Sequence, residues 1–189
     1  MYFLTPTYLN VLNNIEKSNS RVSVTKVEEK NFNTENLQSN INSTDFQILH
    51  LATHGEFSSS PENTFILAYD NPIRANELDK VFKKQAQNQQ EPIELIVLSA
   101  CETASGDQRA TLGISGVAVR AGARSAIASL WTLDDQISVD FTREFYKQLL
   151  TLKQTKAKAL QEAQKALKGK PGREHPRYWA PYILLGNWL

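Results

Sequence analysis

The chain has 189 residues, 41% of them hydrophobic, and a formal net charge of +1. That length fits one domain spanning 1–189 with a sizeable core, and the near-neutral balance excludes a chain built as a global polyelectrolyte. One cysteine excludes an internal disulfide and fits a reducing cytoplasm. No apolar run is long enough to span a bilayer, and Met1-Tyr2-Phe3-Leu4 lacks the basic start and long apolar core of a signal peptide.

Residues 7 to 17 carry Tyr8, Leu12 and Ile15 at helical spacing. Arg21 to Val27 alternates with period two and is expected to form a half-buried strand. A short helix opens at Thr34-Glu35-Asn36-Leu37 and reaches about Ile41. Phe46 to Ala52 is an apolar strand delivering Thr53-His54-Gly55. Residues 56 to 63 form a polar loop. Thr64 to Ala68 and Asp70-Asn71-Pro72 form a small strand and turn. Asn76 to Lys84 is helical, and Gln85 to Gln90 is a polar linker. Leu95 to Leu98 is a second apolar strand, delivering Ser99-Ala100-Cys101-Glu102-Thr103. A loop from Thr103 to Leu112 leads to a helix from about Ile114 to Ala121, stopped by Gly122. Ser125 to Leu130 is a strand. Asp134 or Asp135 caps a long helix reaching about Leu152, Thr155 to Leu167 is another helix, and Tyr182 to Leu185 is a last apolar run.

Strands separated by helices point to a parallel α/β sheet covered on both faces. The first element read this way is a helix, so no strand is assigned before it. Ligands of such sheets bind beyond the carboxyl ends of the strands, which is where His54 and Cys101 fall. Their separation of 47 positions suits two strands joined by a helical crossover and lies near the caspase spacing of roughly 50 with the histidine upstream. An imidazole beside a thiol could activate a cysteine nucleophile. Each residue also has a bland reading: a lone cysteine is usually a small buried hydrophobe, and His54 could be held by loop backbone. Gly55 could let a backbone N–H approach a substrate carbonyl and, with the N–H of Cys101, form an oxyanion hole; it is also an ordinary turn residue.

Rival chemistries are weaker. His50 and His54 have HxxxH spacing, but on a strand four residues span about 13 Å, too far for one zinc ion; no metal site is assigned. No Walker or dinucleotide glycine pattern is present, so no cofactor is assigned. Arg143 to Arg177 holds ten Lys and Arg against three Glu, a pattern read as the solvated face of two helices rather than a nucleic-acid surface.

Five segments in order resemble the CHAT domain: His50-Leu51-Ala52-Thr53-His54-Gly55, Leu98 to Thr103, Ala121-Gly122-Ala123-Arg124, Ser129 to Asp135, and Trp179-Ala180-Pro181-Tyr182. That family is caspase-like, often fused to TPR repeats, and related to separase. The resemblance implies a caspase-like three-layer α/β/α sandwich, mostly parallel, with an antiparallel C-terminal edge strand beside the Ser125 strand. It implies cysteine endopeptidase chemistry on a protein substrate, with His54 and Cys101 as the catalytic dyad and Gly55 at the oxyanion hole. Related separases carry an acid four residues after the tryptophan of this loop; counting from Trp131 gives Asp135, or failing that Asp134, as the receiver of a basic P1 side chain. Helix N-capping explains Asp135 equally well. A strand usually precedes the first helix in the family, and none is read here, so the chain is readable as an N-terminally truncated copy. The competing function is a non-catalytic protein-interaction module that keeps the fold.

Overall fold

The computed structural model describes residues 2–4, 11, 13–17, 19, 22–43, 46–57, 61–88, 92–99, 102–103, 119, 122–131 and 133–189. A six-stranded sheet runs through the middle of the molecule. Its strands are β1 (Tyr2–Leu4), β2 (Lys26–Glu28), β3 (Ile48–Leu51), β7 (Leu95–Leu98), β9 (Ser125–Ser129) and β10 (Tyr182–Gly186), in the order β10-β9-β7-β3-β1-β2. Every pairing is parallel except the last, where β10 runs antiparallel to β9 from Tyr182 opposite Ser129 to Gly186 opposite Ser125. β7 and β9 are buried at every residue, as central parallel strands covered on both faces require.

The alternation within each strand divides the core in two. Leu49, Leu51, Ile96, Leu98, Ala126 and Ala128 face one way, against α2 (Thr34–Ser43) and α3 (Ala75–Asn88), where Leu37, Ile41, Leu78, Val81 and Phe82 meet them. Leu95, Val97 and Ile127 face the other way. That face is covered by α1 (helical at 11 and 13–17), α4 (Asp135–Tyr146) and α5 (Lys156–Lys168), through Val11, Ile15, Phe141, Phe145, Ala159 and Ala163. The result is a three-layer α/β/α sandwich.

Several elements differ from the sequence reading. A strand does precede the first helix: β1, three residues long, sits between β3 and β2, with Tyr2 opposite His50 and Lys26. The expectation of a missing first strand is therefore corrected. The period-two stretch becomes regular strand only at Lys26–Glu28, although Val22 and Val24 still turn toward the core while Ser23 and Thr25 stay exposed. The glutamine-rich linker is shorter than read, because α3 continues through Asn88. A second sheet, order β6-β5-β4-β8, is built from β4 (Gly55–Phe57), β5 (Phe65–Leu67), β6 (Pro72–Arg74) and β8 (Glu102–Thr103), where the sequence shows mostly loop. The helix expected at 114–121 lies outside the described residues except for Val119, which is helical; Gly122 follows with φ 107°, the left-handed conformation of a helix stop. The long helix changes to a π-helical turn at Lys147–Thr151.

The basic stretch is largely engaged in ion pairs. Lys147 pairs with Glu144, Lys158 and Lys165 with Glu162, and buried Lys156 with Glu94. Asp140, on α4 and 8% exposed, receives Arg143 at 3.1 Å and Lys170 and Arg173 each at 2.7 Å, tying α4 to the chain beyond α5. Burial pushes the Asp140 carboxyl up, but hydrogen bonds and charge from Lys170 and Arg173 outweigh it and hold the group below its ordinary value. A carboxyl with a depressed folded pKa contributes stability above its unfolded value and loses it as pH falls through the folded one. We expect Asp140→Asn to cost about 1.5–3 kcal/mol at neutral pH. The gap to wild type should close as pH drops below about 4, which thermal melts across a pH series will read. A gap independent of pH would contradict the assignment.

Candidate functional site

The carboxyl ends of β3 and β7 lie side by side, Leu51 opposite Leu98. Beyond Leu51 the chain passes Ala52 and Thr53 to reach His54, which is exposed. Its loop is fixed to β5 at two points: the Leu67 N–H donates to the His54 carbonyl at 2.7 Å, and the Thr53 hydroxyl donates to the Leu67 carbonyl at 2.6 Å. Gly55 opens β4 and is buried, paired antiparallel with Ile66. A Cβ at position 55 would stand 2.7 Å from the Phe65 carbonyl oxygen, closer than such contacts are found, so packing alone already requires glycine here.

Beyond Leu98 the Ser99 N–H donates to the Leu51 carbonyl at 2.9 Å, extending the β3–β7 ladder by one step. Cys101 lies outside the described residues. The chain after it rejoins the His54 segment: β8 runs parallel to β4, with Glu102 opposite Glu56 and Thr103 opposite Phe57. The loop leaving β9, the strand on the other side of β7, carries Trp131, half-buried, whose indole N–H donates to the Arg177 carbonyl at 2.9 Å. Asp134 is the N-cap of α4, its carboxylate accepting from the Gln136 N–H at 2.8 Å. Asp135 is the first residue of that helix and is exposed. Of the two candidate acids, the capping role belongs to Asp134.

Three residues to which sequence reasoning gave no role stand beneath this edge. His50 is fully buried in β3, with Nδ1 2.9 Å from the Tyr146 hydroxyl and Nε2 3.0 Å from the Ser99 hydroxyl. Burial above all drives its pKa down to about 3, so the imidazole is neutral at any ordinary pH. The signal in the sequence was a histidine inside an apolar strand, which must find polar partners when buried; the partners, 49 and 96 residues away, could not be read from it.

Residues 8–187 match the family model described as CHAT domain. The chain belongs to the CHAT domain family. That family is caspase-like and peptidase-related, in agreement with the mixed sheet and its antiparallel edge strand. The chain is also 30% identical over 98 residues to human Tetratricopeptide repeat protein 28, a match covering 51% of this chain and 4% of that protein. This chain thus spans a small fraction of the relative's length. Within it, Trp179 is half-buried against the α4–α5 face, with its indole N–H on the Glu174 carbonyl at 3.1 Å and Lys168 over its ring at 5.4 Å. It is an anchor for the turn into β10. Among the described residues no helix is long and apolar enough to cross a membrane.

Proposed function

We propose that this CHAT domain is a cysteine endopeptidase in which His54 and Cys101 form the catalytic dyad. The observation that carries the reading is the run of contacts on both sides of Cys101: Ser99 bonded to Leu51 before it and Glu102 paired with Glu56 after it. The described segments on either side of Cys101 are thus both tied to the chain that carries His54, which supports the pairing. In the reaction His54 takes the thiol proton and the Cys101 sulfur attacks the scissile carbonyl. The N–H groups of Gly55 and Cys101 hold the oxyanion. His54 then protonates the leaving amine, and water hydrolyses the acyl-enzyme. The thiol works in a reducing compartment, the cytoplasm, where it stays reduced.

The proposed substrate is a protein cleaved after a basic residue, with Asp135 receiving the P1 side chain and Trp131 flanking it. A desolvated arginine needs a carboxylate partner, and bidentate pairing suits it best. Asp134 already serves as the helix cap, which favours Asp135 for this task. Peptides differing only at P1 test it. Wild type should prefer Arg or Lys, and Asp135→Ala should lose that preference; activity without such a preference would remove the pocket assignment. The second reading, a non-catalytic interaction module, draws on the fact that packing accounts for Gly55 and capping for Asp134. The human relative's name associates a similar segment with tetratricopeptide repeats, and a partner or flanking region carrying such repeats fits either reading.

A further inference from the structure

The trio Tyr146–His50–Ser99 looks at first like a second nucleophile–base pair, since a serine hydroxyl sits 3.0 Å from an imidazole nitrogen. It cannot work as one. The imidazole is fully buried, its other nitrogen meets a tyrosine hydroxyl at 2.9 Å rather than a carboxylate, and its pKa lies near 3. A base needs its pKa near the working pH. A neutral imidazole has one donor and one acceptor nitrogen, and each hydroxyl can give or take a proton. The ring therefore links α4 to the end of β7 by two hydrogen bonds.

We propose that His50 is a positioning residue: clamped between Tyr146 of α4 and Ser99, it fixes the carboxyl end of β7, two residues before Cys101 in the chain, and through that strand end supports the reactivity of the thiol. Ser99 is held three ways. Its N–H is on the Leu51 carbonyl, its hydroxyl is on His50, and the chain before it is a fully buried strand. The hydroxyl contact is the only one of the three that a side-chain substitution removes cleanly. The role rests on the dyad reading, because positioning matters only if thiol and imidazole act together. A small displacement of a reacting group can cost on the order of a hundredfold in rate.

The test exploits the single cysteine, so alkylation by iodoacetamide reports Cys101 alone. Alkylation rate is followed from pH 5 to 9 for wild type, Ser99→Ala, Ser99→Thr and Tyr146→Phe, with melting temperatures alongside. Neutral His50 contributes no inflection in that window. Wild type should show an inflection well below the free-thiol value of about 8.5. Ser99→Ala should move it up toward that value, with kcat on a peptide substrate falling about ten- to a hundredfold and KM unchanged. Ser99→Thr, which keeps the hydroxyl, should restore both. Tyr146→Phe should move the inflection in the same direction. A depressed wild-type inflection that Ser99→Ala and Tyr146→Phe leave in place would overturn the positioning role while sparing the dyad. A wild-type inflection already near 8.5 would overturn the dyad, and this role with it.

Discussion

His54→Ala is expected to lower kcat/KM for peptide hydrolysis by about 10² to 10⁴, the range supplied by a positioned general acid and base. Cys101→Ala should abolish hydrolysis, since no other thiol exists in the chain. The effect of the histidine change should be confined to chemistry. His54 is exposed and belongs to neither core cluster among the described residues, so its loss should alter stability by no more than about 0.5 kcal/mol. The backbone contact that holds the loop, Leu67 N–H to the His54 carbonyl, survives any side-chain substitution. Initial rates and melting temperatures measured on the same samples separate the two effects. A variant with full activity would remove His54 from the mechanism.

The largest loss of stability is expected at Phe141. Its ring is 1% exposed and lies between two others: stacked on Tyr182 with centroids 3.5 Å apart, and parallel to Phe145 at 5.8 Å. It thereby joins α4 to the antiparallel edge strand. Phe141→Ala should cost about 3–5 kcal/mol, which in a chain of this size lowers the melting temperature by roughly 6–20 °C. Circular dichroism melts read it directly. A shift of only a degree or two would mean that β10 docks separately from the cooperative core.

What could be read from the sequence follows from length and locality. The run at Leu95–Leu98 is apolar throughout, and Ser125–Ser129 holds only small or apolar residues, because both faces of those strands are covered, and their helical crossovers forecast parallel neighbours. The antiparallel edge at Tyr182–Gly186 followed from the family resemblance rather than from periodicity. Tyr2–Leu4 and three of the four short strands of the second sheet, all but Phe65–Leu67, were missed because two or three residues show no period and most of their pairing partners are distant in sequence. At the site, His54 and Gly55 were legible as a loop at a strand end. His50 was read only as a rejected metal ligand, since nothing local reveals that Tyr146 and Ser99 would enclose it. The basic stretch was read as a solvated face, and Arg143, Lys147, Lys158 and Lys165 are indeed solvent-exposed; what the sequence did not show is that Asp140 collects cations from three places.

The central claim, that His54 activates Cys101 as a nucleophile toward peptide bonds, is tested most directly by covalent capture. A peptidyl electrophile with arginine at P1 is incubated with the folded chain, and adducts are read by intact mass. The account predicts one equivalent on wild type, carried by Cys101, none on Cys101→Ala, and a rate for His54→Ala slower by about a hundredfold or more. A wild-type rate equal to that of the urea-unfolded chain, or one unchanged by loss of His54, would contradict it.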